Sequence, residues 1–378
     1  MNPSPAIDST LLQRAWQVAI RRREVKLCLW LGALAAAVAV LTTGCEHSSD
    51  TRRVVLYVSA DDHLVRQVIA EFEQQTGIRV DFVGDIEQNK TTGLVGRLRA
   101  EADNPQADVF WSSEVFMTIK LAEEGVLEPY DSPATADWPR EFRDPQGRWY
   151  GFAARARVIV YAPDRVAENE LPKTWMDLTD PPFKGRIVMA DPRFGTTGGH
   201  LGAMKAYWSR LVAPAYYEAF LMGLADNEVR MLPSGNAGVV AAVATGEADL
   251  GFTDTDDVWA AQARGFDVKL IYARHGIAGA AGAGTLLIPN TVARVKAGPN
   301  PHTAGRLIDF LLSEPVERML AESVSHNVPV REELAGDYPQ YAVPDPLRID
   351  YRRAANVMSG AVEQAIRYLN PRADEHAR

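Results

Sequence analysis

A two-lobed α/β protein is expected from three features of the chain. Short apolar runs of strand length alternate with segments of helical period, the alternation restarts midway, and no long linker divides the two series. The size agrees: 378 residues, 47% hydrophobic and 24% charged, make globular composition with room for about two domains. The same figures exclude a disordered tail protein, a collagen-like repeat and a small disulfide scaffold.

The first series opens with VVLYV at 54–58, a buried strand. Residues 62–75 place Leu64, Val65, Val68, Ile69 and Phe72 at helical spacing, and Gly77 follows as a stop. A strand at 79–83, a helix at 91–100, a strand at 107–111 and a helix at 114–124 ended by Gly125 complete a βαβαβα order, as in an open doubly wound sheet. The second series has strands at 158–161, 185–189, 229–232, 249–253, 268–272 and 284–288. Its helices fall at 197–211, 214–224, 237–245, 258–264, 302–312, 315–322 and 354–369. Crossovers between the two lobes imply a hinge and a cleft.

The N-terminus reads as an address. Basic RRREVK at 21–26 precedes the apolar run LCLWLGALAAAVAV, which is short for a bilayer span of ~20 residues. The run leads into LTTGC, which resembles the lipobox of bacterial lipoproteins, with Cys45 as the acylated first mature residue. Thr42 stands where the usual leucine would be, with Leu41 one place earlier. An uncleaved anchor and plain secretion are the alternatives, and all three put the body outside the cytoplasm. Residues 45–53 read as a tether. Both cysteines, Cys28 and Cys45, precede the body, which therefore has no disulfide and no thiolate metal site. Removing the +3 of residues 1–44 from the whole-chain −9 leaves −12, the wrong sign for a general nucleic-acid binder.

Several polar clusters fall where strands end and helices begin, the places that line crevices in open α/β sheets. TDTDD at 253–257 has three carboxylates in four residues, more than one helix cap needs, although Asp254 or Asp256 alone would serve as an N-cap. Asp61 and Ser112–Ser113–Glu114 sit at equivalent positions and carry the same two readings. His63 beside Asp61 is weak metal evidence by itself. In FGTTGG (194–199), Thr196, Thr197 and Gly198 offer backbone N–H groups to an anion, or form an ordinary turn into a helix. Asn236 is a helix cap or a ligand contact. Arg155, near the expected crossing, pairs an anion, a cleft carboxylate or a surface acid. Tyr216 and Tyr217 fall within a helix and, like Trp175, Trp208 and Trp259, are expected to pack.

Read together, LYVSADDHLVRQVIAEFEQQTGIRV (56–80), NPQADVFWSSEVFMTIKLAEEGVLEPY (104–130), ARARVIVYAP (154–163), FKGRIVMADPRFGTTGG (183–199), GNAGVVAAVATGEADLGFTDTDD (235–257) and GTLLIPNTVARVKAGPNPHTAGRLIDFLLS (284–313) resemble the ferric-ion-binding branch of the substrate-binding proteins of bacterial ABC importers. The resemblance spans about residues 54–335. It implies a type II periplasmic binding protein fold with a ligand cleft between lobes joined by crossing strands. The implied lobes are 54–155 with 285–335, and 156–284 with 336–378. In the ferric members, iron is held by a His after the first strand, a Glu after the third and a Tyr-Tyr pair in the C-terminal lobe. Those positions are here Asp61, Ser113 with Glu114 beside it, and Thr255 and Asp256. Asp61, Glu114 and Asp256 are then the oxygen ligands suited to a hard cation. The loop with Thr196, Thr197 and Gly198 would hold phosphate or carbonate, and Asn236 falls on a ligand-contacting position.

The resemblance implies a lipid-anchored, monomeric capture protein that closes about its hinge and delivers cargo to an ABC permease of the inner membrane. Ferric iron with a synergistic anion is the expected cargo, and the lipid on Cys45 the one covalent group. A phosphonate, sugar phosphate, thiamine or polyamine is the alternative cargo. A periplasmic hydrolase using Asp61 with Asp256 is a further alternative. No GxSxG or HExxH motif supports catalysis.

Overall fold

The computed structural model describes residues 52–84, 91–211, 213, 215–276 and 281–370. The address segment, Cys45 and most of the tether lie outside these residues. Strand β1 (Arg53–Val58) begins at Arg53, inside the expected tether, because Arg53 pairs in register with Arg79 of β2 (Arg79–Gly84). Between them, α1 (Asp62–Thr76) buries the five apolar residues that its period singled out, and Gly77 ends it at φ 65°. Then come α2 (Thr92–Ala100), β3 (Val109–Ser112), α3 (Phe116–Glu123) and the short β4 (Leu127–Glu128).

The long strand β5 (Tyr150–Tyr161) follows, and it was mostly hidden in the sequence. Only 158–161 carries a β-branched apolar run. The stretch YGFAARAR before it is small and charged, without strand-like composition. The second series continues with β6 (Ile187–Ala190), α4 (Gly195–Leu211), α5 (Tyr216–Asp226), β7 (Arg230–Leu232), α6 (Asn236–Ala244), β8 (Leu250–Asp254), α7 (Thr255–Ala263) and β9 (Lys269–Ile271). The return strand β10 (Leu287–Val295) starts later and runs further than the expected 284–288. Pro289 argues against a central strand, but a register shift at Pro289/Asn290 absorbs it. Helices α8 (Pro301–Leu311), α9 (Glu314–Glu322), α10 (Glu332–Ala335) and α11 (Tyr351–Leu369) close the chain.

The strand order is β2-β1-β3-β10-β5-β8-β6-β7, with β4 also on β10 and β9 also on β5. Strand β5 is the crossing element. Tyr150 to Ala156 pair antiparallel with β10, and Arg157 to Tyr161 pair antiparallel with β8. The chain crosses again just before β10, where Arg157 donates its backbone N–H to Leu286 C=O at 2.8 Å. The outer strands on each side are parallel and buried between helices, the doubly wound arrangement. Helix α11 packs along α4 and also reaches α3. Gly202 permits that approach, since a Cβ there would lie 2.8 Å from Ala354 C=O. Among the described residues no helix is long and apolar enough to cross a membrane.

The tryptophans and the tyrosine pair pack as expected. Trp175 and Trp208 are buried, Trp259 is half-buried, and the Trp208 Nε1–H donates to His275 C=O. The Tyr217 hydroxyl donates to Ala361 C=O at 2.9 Å, and Tyr216 stands edge-on to Trp208.

Candidate functional site

A cleft opens where the second-series strands end beside the crossing. Six of the expected residues line it: Asp61, Ser113, Arg155, Thr196, Asn236 and Asp256. Asp191, Phe194, Ser234, Gly235 and Asp257 complete most of the wall. The cavity measures about 50 Å³. That is room for an ion and a few waters, each needing ~10–15 Å³ by the same measure.

Asp254, Asp256 and Asp257 bring carboxylate oxygens within 4.8 Å of one another. The cause is local. Strand β8 ends at Asp254, and the next residues form the first turn of α7, where acids are favoured by the helix dipole. None of these side chains caps the helix through a hydrogen bond from Asp254. Arg155 enters from β5 and places Nη1 3.1 Å from Asp256 Oδ2. Its Nη2 donates to Asn290 Oδ1 at 2.9 Å, and Asn290 is itself fixed to Ala153 C=O and Asn327 Oδ1. Burial opposes the charge on Arg155, but Asp256, Asp254, Asp61 and Asp257 outweigh it and raise its pKa.

Behind this wall lies a network that the sequence reading did not single out. Arg157, fully buried, donates to Asp254 Oδ1 (3.1 Å), Asn236 Oδ1 (3.0 Å) and the hydroxyls of Thr196 (3.3 Å) and Thr197 (2.9 Å). Asp254 Oδ2 accepts from Thr196 (2.6 Å) and from Asn236 Nδ2 (2.7 Å). The arginines are two apart on one strand, so they share a face, and this ARAR spacing was the signal available. The Arg157 Nε–H donates to His200 Nδ1, and His200 Nε2 lies 2.8 Å from His275 Nε2. Nothing near His200 or His275 in the chain marks them as a pair.

Other expected residues lie off the cleft wall. Glu114 is buried and accepts the backbone N–H groups of Phe116 and Met117, so it caps α3. Burial pushes it up to about 7 despite those bonds. It is not gathered with Asp61 and Asp256 into one ligand set; the carboxylates that converge are Asp254, Asp256 and Asp257. The Thr255 hydroxyl is buried and accepts from the Ala156 N–H, tying α7 to the crossing strand. Thr197 serves Arg157. FGTTGG is not a loop but the first turn of α4. Gly198 is required there by packing, since a Cβ would lie 2.4 Å from Pro192 C=O. Ser113 keeps its place in the wall, its hydroxyl joined to Ser59 and Thr91.

An acidic cleft between two α/β halves crossed by two strands defines a two-lobed binding protein. The chain belongs to the bacterial extracellular solute-binding protein family, whose pattern matches residues 104–353. It is 28% identical over 290 residues to iron uptake protein A1 of Synechocystis, covering 72% of this chain and 75% of that protein. Iron-bound HitA from Pseudomonas aeruginosa has the same fold, with a TM-score of 0.69 at 23% identity over 83% of this chain and 99% of that one. AfuA from Actinobacillus pleuropneumoniae, with fructose-6-phosphate bound, gives 0.66 at 22% identity over 85% and 98%. The fold is thus the two-lobed type II periplasmic binding protein fold.

Proposed function

We propose that this protein is the extracytoplasmic substrate-binding component of an ABC importer, and that its cargo is ferric iron held with a synergistic anion. The observation that carries the cargo reading is the convergence of Asp254, Asp256 and Asp257 on a cleft that Asp61 also lines. Carboxylate oxygens suit a hard trivalent cation. The relative named iron uptake protein A1 and the iron-bound HitA structure support the same choice. Asp256 and Asp61 are the ligand residues in this reading. Asp254 is already committed to Arg157, and Glu114 to its helix cap. The anion's place is the first turn of α4 at Thr196, opposite Ser113. The lobes 54–155 with 285–335 and 156–284 with 336–378 close about the two crossings, with ligand stabilising the closed state by contacts made only there. Acylation at Cys45 tethers the protein to the membrane, and binding rather than catalysis is its task.

Thermal unfolding with a ligand panel tests this. The panel holds ferric ion with phosphate, carbonate or citrate, then divalent metals, phosphonates, sugar phosphates, thiamine and polyamines. Ligand at 100 times its dissociation constant adds ~2.7 kcal/mol to the native state. A shift with ferric ion plus anion that disappears in Asp256→Ala is the expected result. A shift with an organic ligand alone would replace iron as cargo and keep the capture role. One observation favours that second reading: Thr255 and Asp256 stand where the ferric members carry tyrosines, while Tyr216 and Tyr217 pack elsewhere.

A further inference from the structure

The carboxylate best placed to take a cation is already paired with one. Asp256 lines the cavity, and Arg155 Nη1 sits 3.1 Å from its Oδ2. The guanidinium is deep in the wall, with 12% of its side chain exposed, and Asn290 anchors its other end. Arg155 Nε is buried and has no hydrogen-bond partner in the protein. A buried N–H donor left unmatched is costly, so this position favours a ligand bearing an acceptor oxygen. An arginine fork takes carboxylate or phosphate oxygens in pairs, which a neutral acceptor such as Asn290 does not imitate.

We propose that Arg155 is an internal counter-ion that gates the site: an oxyanion bound at its guanidinium withdraws that charge from Asp256 and so licenses Asp256 to take the metal. This rests on the ferric reading of the cleft. Without anion, a trivalent cation approaching Asp256 meets a fixed positive charge and a carboxylate that is already neutralised. With an anion on Arg155, the guanidinium charge is shared, Asp256 regains its negative potential, and the anion adds its own oxygens beside the metal. Metal and anion then bind with positive coupling, which by linkage is the same in both directions. The coupling originates in one side chain of the crossing strand. A lysine could supply the charge at that position but not the fork.

The test measures the apparent dissociation constant for ferric ion, delivered as its nitrilotriacetate complex at constant chelator, without phosphate and at saturating phosphate. Wild type is compared with Arg155→Gln and Arg155→Lys. Wild type should tighten about tenfold or more with phosphate, within the usual range of coupling. Arg155→Gln should bind ferric ion more tightly than wild type in the absence of phosphate and lose the phosphate effect. Arg155→Lys, which keeps the charge, should stay weak without phosphate and show a reduced phosphate effect. An unchanged phosphate effect in Arg155→Gln would overturn the gate while leaving the iron reading intact. A phosphate-free gain in Arg155→Lys equal to that in Arg155→Gln would also overturn it, because charge would not be the cause. Failure of wild type to bind ferric ion with phosphate, carbonate or citrate would remove the iron reading itself, and the gate with it.

Discussion

Arg157 fixes the tautomer of His200. Its Nε–H always donates, so His200 Nδ1 accepts and its proton sits on Nε2. That N–H donates across 2.8 Å to His275 Nε2, which leaves the His275 proton on Nδ1, directed at Gly284 C=O 2.8 Å away. One ordered chain of neutral imidazoles therefore runs from crossing strand β5 to the segment just before crossing strand β10.

Protonating either ring would put two N–H groups face to face, and Arg157 adds a fixed positive charge beside them. Burial, His275 and Arg157 hold His200 well below its usual value, and burial lowers His275 to about 4 although Gly284 C=O opposes this. Both histidines are neutral when folded and titrate near 6.5 when unfolded, so the unfolded state binds more protons as pH falls. Stability should therefore drop as pH falls from about 6.5 towards 4, by roughly 3 kcal/mol for His275 alone. Urea unfolding across that window measures it. His200→Gln with His275→Gln should flatten the slope, and an unaltered slope in that double variant would rule the relay out as its source.

Glu114 works against that slope. Its folded value of about 7 exceeds the ordinary 4.5 because burial penalises the carboxylate more than the Phe116 and Met117 N–H groups help it. Here the folded state holds the proton longer. The contribution is full below about 4.5 and is lost as pH rises through about 7. Glu114→Gln keeps an oxygen for the cap and removes the charge. It should raise stability at pH 8 by roughly 1–3 kcal/mol relative to wild type, and steepen the loss between about 6.5 and 4.5. A variant less stable than wild type at pH 8 would mean that the charged cap outweighs its burial.

The parts of this molecule that follow from period and punctuation were legible in the chain. The α1 stripe from Leu64 to Phe72 and its Gly77 stop are examples, because each residue there is chosen by one local requirement. Strand β5 was not, because its residues answer to partners distant in sequence: Arg155 to Asp256 and Asn290, Arg157 to Asp254 and His200. The crevice rule placed Asp61, Ser113, Thr196, Asn236 and Asp256 in one cleft wall. It could not separate Asp256, which faces the cavity, from Thr255, which turns away to Ala156 N–H. Adjacent residues at a helix start share the position but not the direction.

The Arg157–Asp254 pair is fully buried, and its worth lies in being complete. Thr196, Thr197, Asn236 and His200 satisfy the remaining donors and lone pairs. Asp254→Ala should cost about 3–5 kcal/mol by stranding a buried guanidinium. Arg157→Met with Asp254→Leu should recover much of that loss, since apolar replacement of a whole buried pair is often neutral. Chemical denaturation of the single and double variants decides the matter. A double variant no better than Asp254→Ala would show that the network around the pair, rather than the stranded charge, sets the cost.

Gly199 is where the first turn of α4 meets α3. A Cβ at this position would fall 2.1 Å from Phe116 Cδ2, and Phe116 is fully buried with no free side to rotate into. Phe116 follows the first-series strand β3, while Gly199 follows β6 of the second series. A methyl group here therefore wedges the two halves apart beside the cleft and leaves each half's own sheet intact. Gly199→Ala should destabilise this arrangement by about 1–3 kcal/mol, the usual cost of overpacking. It should also weaken ligand binding through a lower population of the closed form, with the affinity falling by the same factor for every ligand that requires closure. Small-angle scattering of the variant should show a larger radius of gyration than wild type. Phe116→Leu in the same chain removes the colliding ring and should restore both radius and affinity. A variant that loses affinity without any change in radius would place the effect in the local helix turn instead of in closure.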